Sequence, residues 1–134
     1  VFFEARQKVN FYEDAIPALD FLKSKYPMVA LSNGNADIHK VGLGNYFVAA
    51  FNPISLGVGK PDPKMFHAGA EALGVLPEEV LHIGDDPHLD VLAAQRAGMQ
   101  SVWVNREEKK WTHETHPEPF TVVGLKELCK AWPV

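Results

Sequence analysis

The chain has 134 residues, 46% of them apolar and 22% charged, with a net charge of −4 and one cysteine. That composition suits a single globular domain with a core of its own. The acidic balance argues against a general nucleic-acid surface, no apolar run approaches the ~20 residues that span a membrane, and a lone Cys129 excludes an internal disulfide and fits a reducing compartment, taken as the cytoplasm.

In chain order, "YEDAIPALDFLKSKY" (12–26) spaces Ile16, Leu19 and Leu22 as one helical face. "MVALSN" (28–33) is a short apolar run with a polar end, the pattern of a buried strand. "ADIHKVGL" (36–43) predicts a helix that Gly42 or Gly44 ends. "YFVAAFNPIS" (46–55) holds another short strand. "DPKMFHAGAEALGV" (62–75) predicts a helix with Pro63 in its first turn and Gly74 at its end. "EVLHIGD" (79–85) is a strand, "PHLDVLAAQRAGM" (87–99) a helix closing at Gly98, and "QSVWVN" (100–105) a strand. A polar loop follows to 119, and "FTVVGLKELCKAW" (120–132) adds an edge strand and a terminal helix.

Strand and helix alternate with short connections, which predicts an α/β fold with a parallel sheet and helices on both faces. "MVAL" and "VLHI" are apolar on both faces, as such a sheet requires.

Ligands of doubly wound sheets gather beyond the carboxyl ends of the strands. Ser32 and Asn33 fall at one such end, and Asp85 at another with Asp90 one turn into the next helix. Lys60 stands in the loop "LGVGKPDP", between glycine and proline. Serine hydroxyls bind phosphate oxygens, lysine offsets the charge that spreads over them during transfer, and carboxylates suit a hard cation such as Mg²⁺. Taken singly, each has a plainer account. Ser32–Asn33 reads as a strand-end turn, Lys60 as a solvated loop residue that adds little to a core, and Asp86 as the cap of the helix beginning at Pro87. Together, in order and at strand ends, they point to phosphate and a cation.

"LSNG", "VGKPDPKMF" and "HIGDDPHLD" followed by "AGM" resemble the second, third and fourth motifs of the haloacid dehalogenase-like hydrolase superfamily. The spacings agree, 28 residues from Ser32 to Lys60 and 25 from Lys60 to Asp85, and the resemblance covers roughly 12–105. It implies a Rossmann-like core of the capped phosphatase branch, with residues 1–13 as the end of a helical cap or linker and 14–134 as the core. By resemblance, Ser32 and Asn33 bind the phosphoryl group, Lys60 stabilises nucleophile and phosphate, Asp85 holds Mg²⁺, and Asp90 supports the metal or the lysine. It also implies a small phosphorylated substrate, hydrolysed through an aspartyl-phosphate.

The first family motif, an Asp-x-Asp pair, occurs nowhere in the 134 residues. The expectation is therefore a C-terminal portion without its nucleophile, lacking the sheet's middle strand. It would associate with the missing N-terminal segment or with a second copy. Two alternatives stand beside the phosphatase. One is a 2-haloacid dehalogenase, which shares the serine–asparagine loop and the lysine but, as a family, lacks the acidic fourth motif. The other is a non-catalytic module that keeps the fold for binding or assembly. The remaining candidates read as structural. His113 and His116 of "HETH" are solvated loop histidines, Cys129 packs in a terminal amphipathic segment, and the three tryptophans lack the spacing of a nucleic-acid platform.

Overall fold

Met28, Val29, Ala30 and Leu31 are all apolar and all buried. Such a run has no face for water and belongs in a sheet covered on both sides. The computed structural model describes residues 15–33, 44–113 and 116–132 and has that arrangement. β1 (Val29–Leu31) pairs in parallel with β2 (Ala49–Phe51), Val29 opposite Ala49. β3 (Leu81–Gly84), β4 (Gln100–Val104) and β5 (Phe120–Val122) form a second parallel ladder in that order. Among the described residues the two ladders are not hydrogen-bonded to each other.

Packing joins what hydrogen bonds do not. Successive side chains of a strand point to opposite faces. Ala30 therefore enters a core with Leu19 and Leu22 of α1 (Ala15–Lys23), Ile83 of β3, Val102 of β4 and Leu128 of α5 (Leu125–Lys130). Val29 and Leu31 enter a second core, with Met65, Phe66 and Ala70 of α3 (Pro63–Leu73) and Ala94 of α4 (Ala93–Arg96). Each fully buried aliphatic or aromatic side chain contributes roughly 1.5–3 kcal/mol. The first core draws on both ladders, so burial holds them side by side. The fold is α/β and Rossmann-like, with helices on both faces of parallel strands, as the alternating pattern predicts.

Local chemistry sets the helix ends. The Asp62 side chain accepts the Lys64 N–H at 2.9 Å, Pro63 fills the first turn, and Gly74 closes α3 at φ 71°, a left-handed conformation that glycine adopts without strain. The short strand expected within 46–55 is Ala49–Phe51, and it stops there because Asn52 and Ser55 cap each other reciprocally and start a short helix, α2 (Pro53–Leu56). One segment departs from expectation. The helix predicted over 87–99 opens as a π-helical turn, Pro87–Leu92, before α4. The helix predicted over 36–43, the residues of 12–26 before Ala15, and the cap or linker expected at 1–13 lie outside the described residues. No helix among the described residues is long and apolar enough to cross a membrane.

Candidate active site

The parallel strands bring three chain segments to one edge. At the end of β1, Ser32 is buried and its N–H donates to the Phe51 carbonyl at 3.0 Å, extending the ladder by one bond. Asn33 reaches the loop that carries Lys60. Its Oδ1 accepts the Lys60 N–H at 2.7 Å, and its Nδ2 donates to the Lys60 carbonyl at 2.9 Å. This bridge needs a close approach, since a Cβ on Gly59 would stand 2.8 Å from Asn33 Oδ1.

Lys60 is not the solvated loop lysine of the plainer reading. It is 5% exposed, and its Nζ donates to Asp90 Oδ1 at 2.7 Å. The expectation that it adds little to the interior is corrected, because this loop turns inward onto a buried carboxylate.

Asp90 reaches that position through the π-helical turn. The Asp86 side chain accepts the N–H groups of His88 and Leu89, both at 2.8 Å, as expected of a cap. The Val91 N–H then bonds the Asp86 carbonyl, five residues back. Single π-helical turns of this kind are frequent at functional sites. Asp90 is fully buried. Its Oδ1 also contacts His82 Nε2 at 3.0 Å, and its Oδ2 accepts the Asp86 N–H at 3.1 Å. Gly84 leaves the room, because any Cβ there would fall on the Asp90 side chain.

Burial dominates the electrostatics. It pushes the Lys60 amine below its ordinary value, opposed by Asp90, Asp85 and Asp86. It pushes His82 down to about 4, so this imidazole is neutral at pH 7. Burial alone would raise Asp90, but the His82 hydrogen bond and the Lys60 charge outweigh it and hold the carboxyl below the ordinary aspartate range.

Asp85 stands exposed at the tip of β3, and its carbonyl accepts the Trp103 indole N–H at 3.0 Å. Asn33, Lys60, Asp85 and Asp90 line one pocket of about 360 Å³, joined by Trp103 and Arg106. Ser32 lies buried beside Asn33. Asn105 shapes the far rim, with its Nδ2 donating to the Lys109 carbonyl at 2.8 Å and its Oδ1 accepting the Lys109 N–H at 2.9 Å. His82, Trp103 and Asn105 join these contacts although none is among the residues that the sequence singles out for the site. The available signal was a polar or indole N–H group within an apolar strand or at its end.

The hard-cation donor set is small. Both Asp90 oxygens are engaged by Lys60, His82 and the Asp86 N–H, so of the two roles expected of Asp90 its contacts are those of lysine support. No cluster of three metal-ligating side chains occurs among the described residues. Asp85 lines the pocket beside Asp86, which caps the helical turn, and Glu107, which pairs with Lys109. That suits Mg²⁺ only as a partial ligand set completed by water or other donors. Between the amino ends of β1 and β3 lies a second, apolar groove of about 340 Å³, lined by Met28, Val29, Leu81 and Ile83.

A Rossmann-like core with a buried lysine–carboxylate pair and an exposed aspartate at its carboxyl edge is the arrangement of an α/β enzyme scaffold. A family model described as haloacid dehalogenase-like hydrolase matches residues 1–98, and the chain belongs to that family of hydrolases. It is 38% identical over 102 residues to the 5-amino-6-(5-phospho-D-ribitylamino)uracil phosphatase YigB of Escherichia coli, covering 76% of this chain and 43% of that protein. It is 32% identical over 136 aligned residues to the phosphoserine phosphatase of Thermus thermophilus, covering 97% and 54%. The crystal structure of a 2-haloacid dehalogenase from Pseudomonas syringae superposes with a TM-score of 0.87 at 32% identity, covering 92% and 54%. The chain spans about half the length of the curated relatives it matches.

Proposed function

We propose that the protein is a phosphatase of this family, acting on a small phosphorylated metabolite with Mg²⁺. The observation that carries this reading is the buried Lys60–Asp90 pair at 2.7 Å, in a pocket that Asn33 and Asp85 also line. An ammonium held there by a fixed carboxylate offsets charge developing on phosphoryl oxygens. Ser32 hydrogen-bonds the phosphoryl group, and Asn33 sets the main chain from which Lys60 extends. Asp85 holds the Mg²⁺, which when bound neutralises phosphate charge. A pocket of about 360 Å³ suits a small metabolite, and a chain with Cys129 as its single cysteine fits a cytoplasmic setting.

An aspartyl-phosphate route needs a carboxylate nucleophile, and no Asp-x-Asp pair occurs in these 134 residues. In this reading the nucleophile arrives on another strand seated between β1 and β3, carried by a further polypeptide segment. The two unjoined ladders and the apolar groove between them support that placement.

A 2-haloacid dehalogenase is the second reading, favoured by the likeness to the Pseudomonas syringae structure. Asp85 supports the phosphatase, since a hard oxygen donor at an exposed strand tip serves a cation. The test is phosphate release by the natural full-length gene product from a panel of small phosphomonoesters with Mg²⁺, alongside a panel of 2-haloacids. Phosphate release that Lys60→Ala abolishes is the expected result. Halide release without phosphate release overturns it.

A further inference from the structure

His82 sits in "VLHIG", between two apolar neighbours on a buried strand. Strand alternation turns it away from Ile83 and the α1–α5 core, toward α3. There its ring meets Phe66 edge-on, with centroids 4.9 Å apart. It is 2% exposed. A packing role alone needs only volume, which leucine or phenylalanine supplies. A buried imidazole needs its nitrogens satisfied, and Nε2 lies 3.0 Å from Asp90 Oδ1.

That oxygen is the one that accepts Lys60 Nζ at 2.7 Å. A carboxylate bonded to one flexible lysine can turn about its own terminal torsion, which is broad. Here the turn is blocked at both oxygens, with the Asp86 N–H on Oδ2 and His82 with Lys60 on Oδ1. The lysine stem is long and flexible. It is held at its root by Asn33 and at its head by Asp90. A neutral donor suits this place, because a second cation would compete with Lys60 for the carboxylate.

We propose that His82 is a positioning residue for Lys60, acting through Asp90 as a neutral Nε2–H donor that fixes the direction in which the carboxylate holds the ammonium. This deepens the phosphatase reading and rests on it for what Lys60 faces, whereas the geometry it tests does not depend on turnover.

The first measurement uses the unaltered chain. Long-range ¹H–¹⁵N spectra of the imidazole assign its tautomer, and the expected form is protonated at Nε2 and bare at Nδ1. A ring protonated only at Nδ1 overturns the proposal. The second measurement follows the Lys60 Cε–Hε signal, assigned by its disappearance in Lys60→Arg, in three variants. Glutamine places an amide N–H near the Nε2 position, asparagine reaches only the Nδ1 position, and leucine has no donor. His82→Gln should keep the Lys60 signal dispersed. His82→Asn and His82→Leu should move it to the position of exposed lysines, while the Trp103 indole N–H signal stays in place. An unmoved Lys60 signal in His82→Leu, or equal behaviour of Gln and Asn, overturns the proposal. If the variants unfold, the tautomer decides. Full-length enzyme that keeps its turnover in Lys60→Ala would instead overturn the phosphatase reading and leave these spectra unchanged.

Discussion

Asn33 satisfies both hydrogen-bonding groups of the Lys60 main chain across 27 residues of sequence, accepting its N–H at 2.7 Å and donating to its carbonyl at 2.9 Å. A residue that sequence places beside the phosphate thus builds the platform for the lysine. Asn33→Ala should leave both Lys60 groups without that partner and lower stability by about 1–2 kcal/mol. Urea midpoints of the two proteins check this. An unchanged midpoint would mean that water replaces the bridge without loss.

Lys60→Met should harm folding as well as turnover. Removing one partner of a buried ion pair leaves the other charge uncompensated, typically at about 3–5 kcal/mol. Lys60 and Asp90 side chains are 2% and 1% exposed, so solvent screening gives little relief. Denaturation of Lys60→Met, Asp90→Asn and the double variant measures the coupling. Additive losses would show that the pair contributes no coupling energy.

Gly84→Ala should displace the Asp90 side chain, on which the new methyl would fall. Overpacking of this kind lowers stability by about 1–3 kcal/mol. The Lys60 signal should move as well, although Lys60 lies far from Gly84 in sequence. A variant as stable as the parent, with Lys60 unmoved, would show that the π-helical turn yields easily.

Stability should decline on acidification through a histidine. His82 falls from 6.5 to about 4, burial being the largest cause. Between those values the unfolded chain binds a proton that the native chain does not, so stability rises with pH there. It is fully present above 6.5 and lost as pH falls toward 4, by about 3 kcal/mol at 1.36 kcal/mol per unit. Asp90, held low, adds a further loss below its unfolded value of 3.8. Urea midpoints at pH 7 and pH 4.5 should differ in the parent and converge in His82→Leu. The same pH slope in both proteins would assign the effect to other groups.

The 134-residue chain alone should release no phosphate from an aryl phosphate with Mg²⁺, and it should associate in solution. Strand edges without partners template pairing with another chain, and among the described residues β1 and β3 share no ladder. Light scattering should report a dimer or larger species. A monomer that unfolds cooperatively would show that packing of the shared core is enough to hold the two ladders.

Periodicity and punctuation in the sequence determined much of this protein. Doubly apolar runs at 28–31 and 80–83 require strands covered on both faces. Asp62-Pro63 and Gly74 bracket α3, and Asp86-Pro87 starts the next helical segment, because these residues satisfy or replace local backbone bonds whatever surrounds them. The edge position of Asn33, Lys60 and Asp85 followed from strand polarity. What each side chain does there was decided only by tertiary structure. Lys60 reads as a loop lysine until a carboxylate 30 residues away is folded against it, and its burial comes from that approach. Asp90 reads as a metal ligand or a lysine support until three donors from different segments converge on its two oxygens. His82 shows in the chain only as a polar residue inside an apolar strand, and its partner Asp90 leaves no period that names it. The π-helical turn was equally hidden, because the Val91-to-Asp86 bond depends on where Asp90 is held. Sequence wrote the elements through short-range bonds and spacing. The site is a product of side-chain contacts between elements, and those exist only once the strands lie side by side.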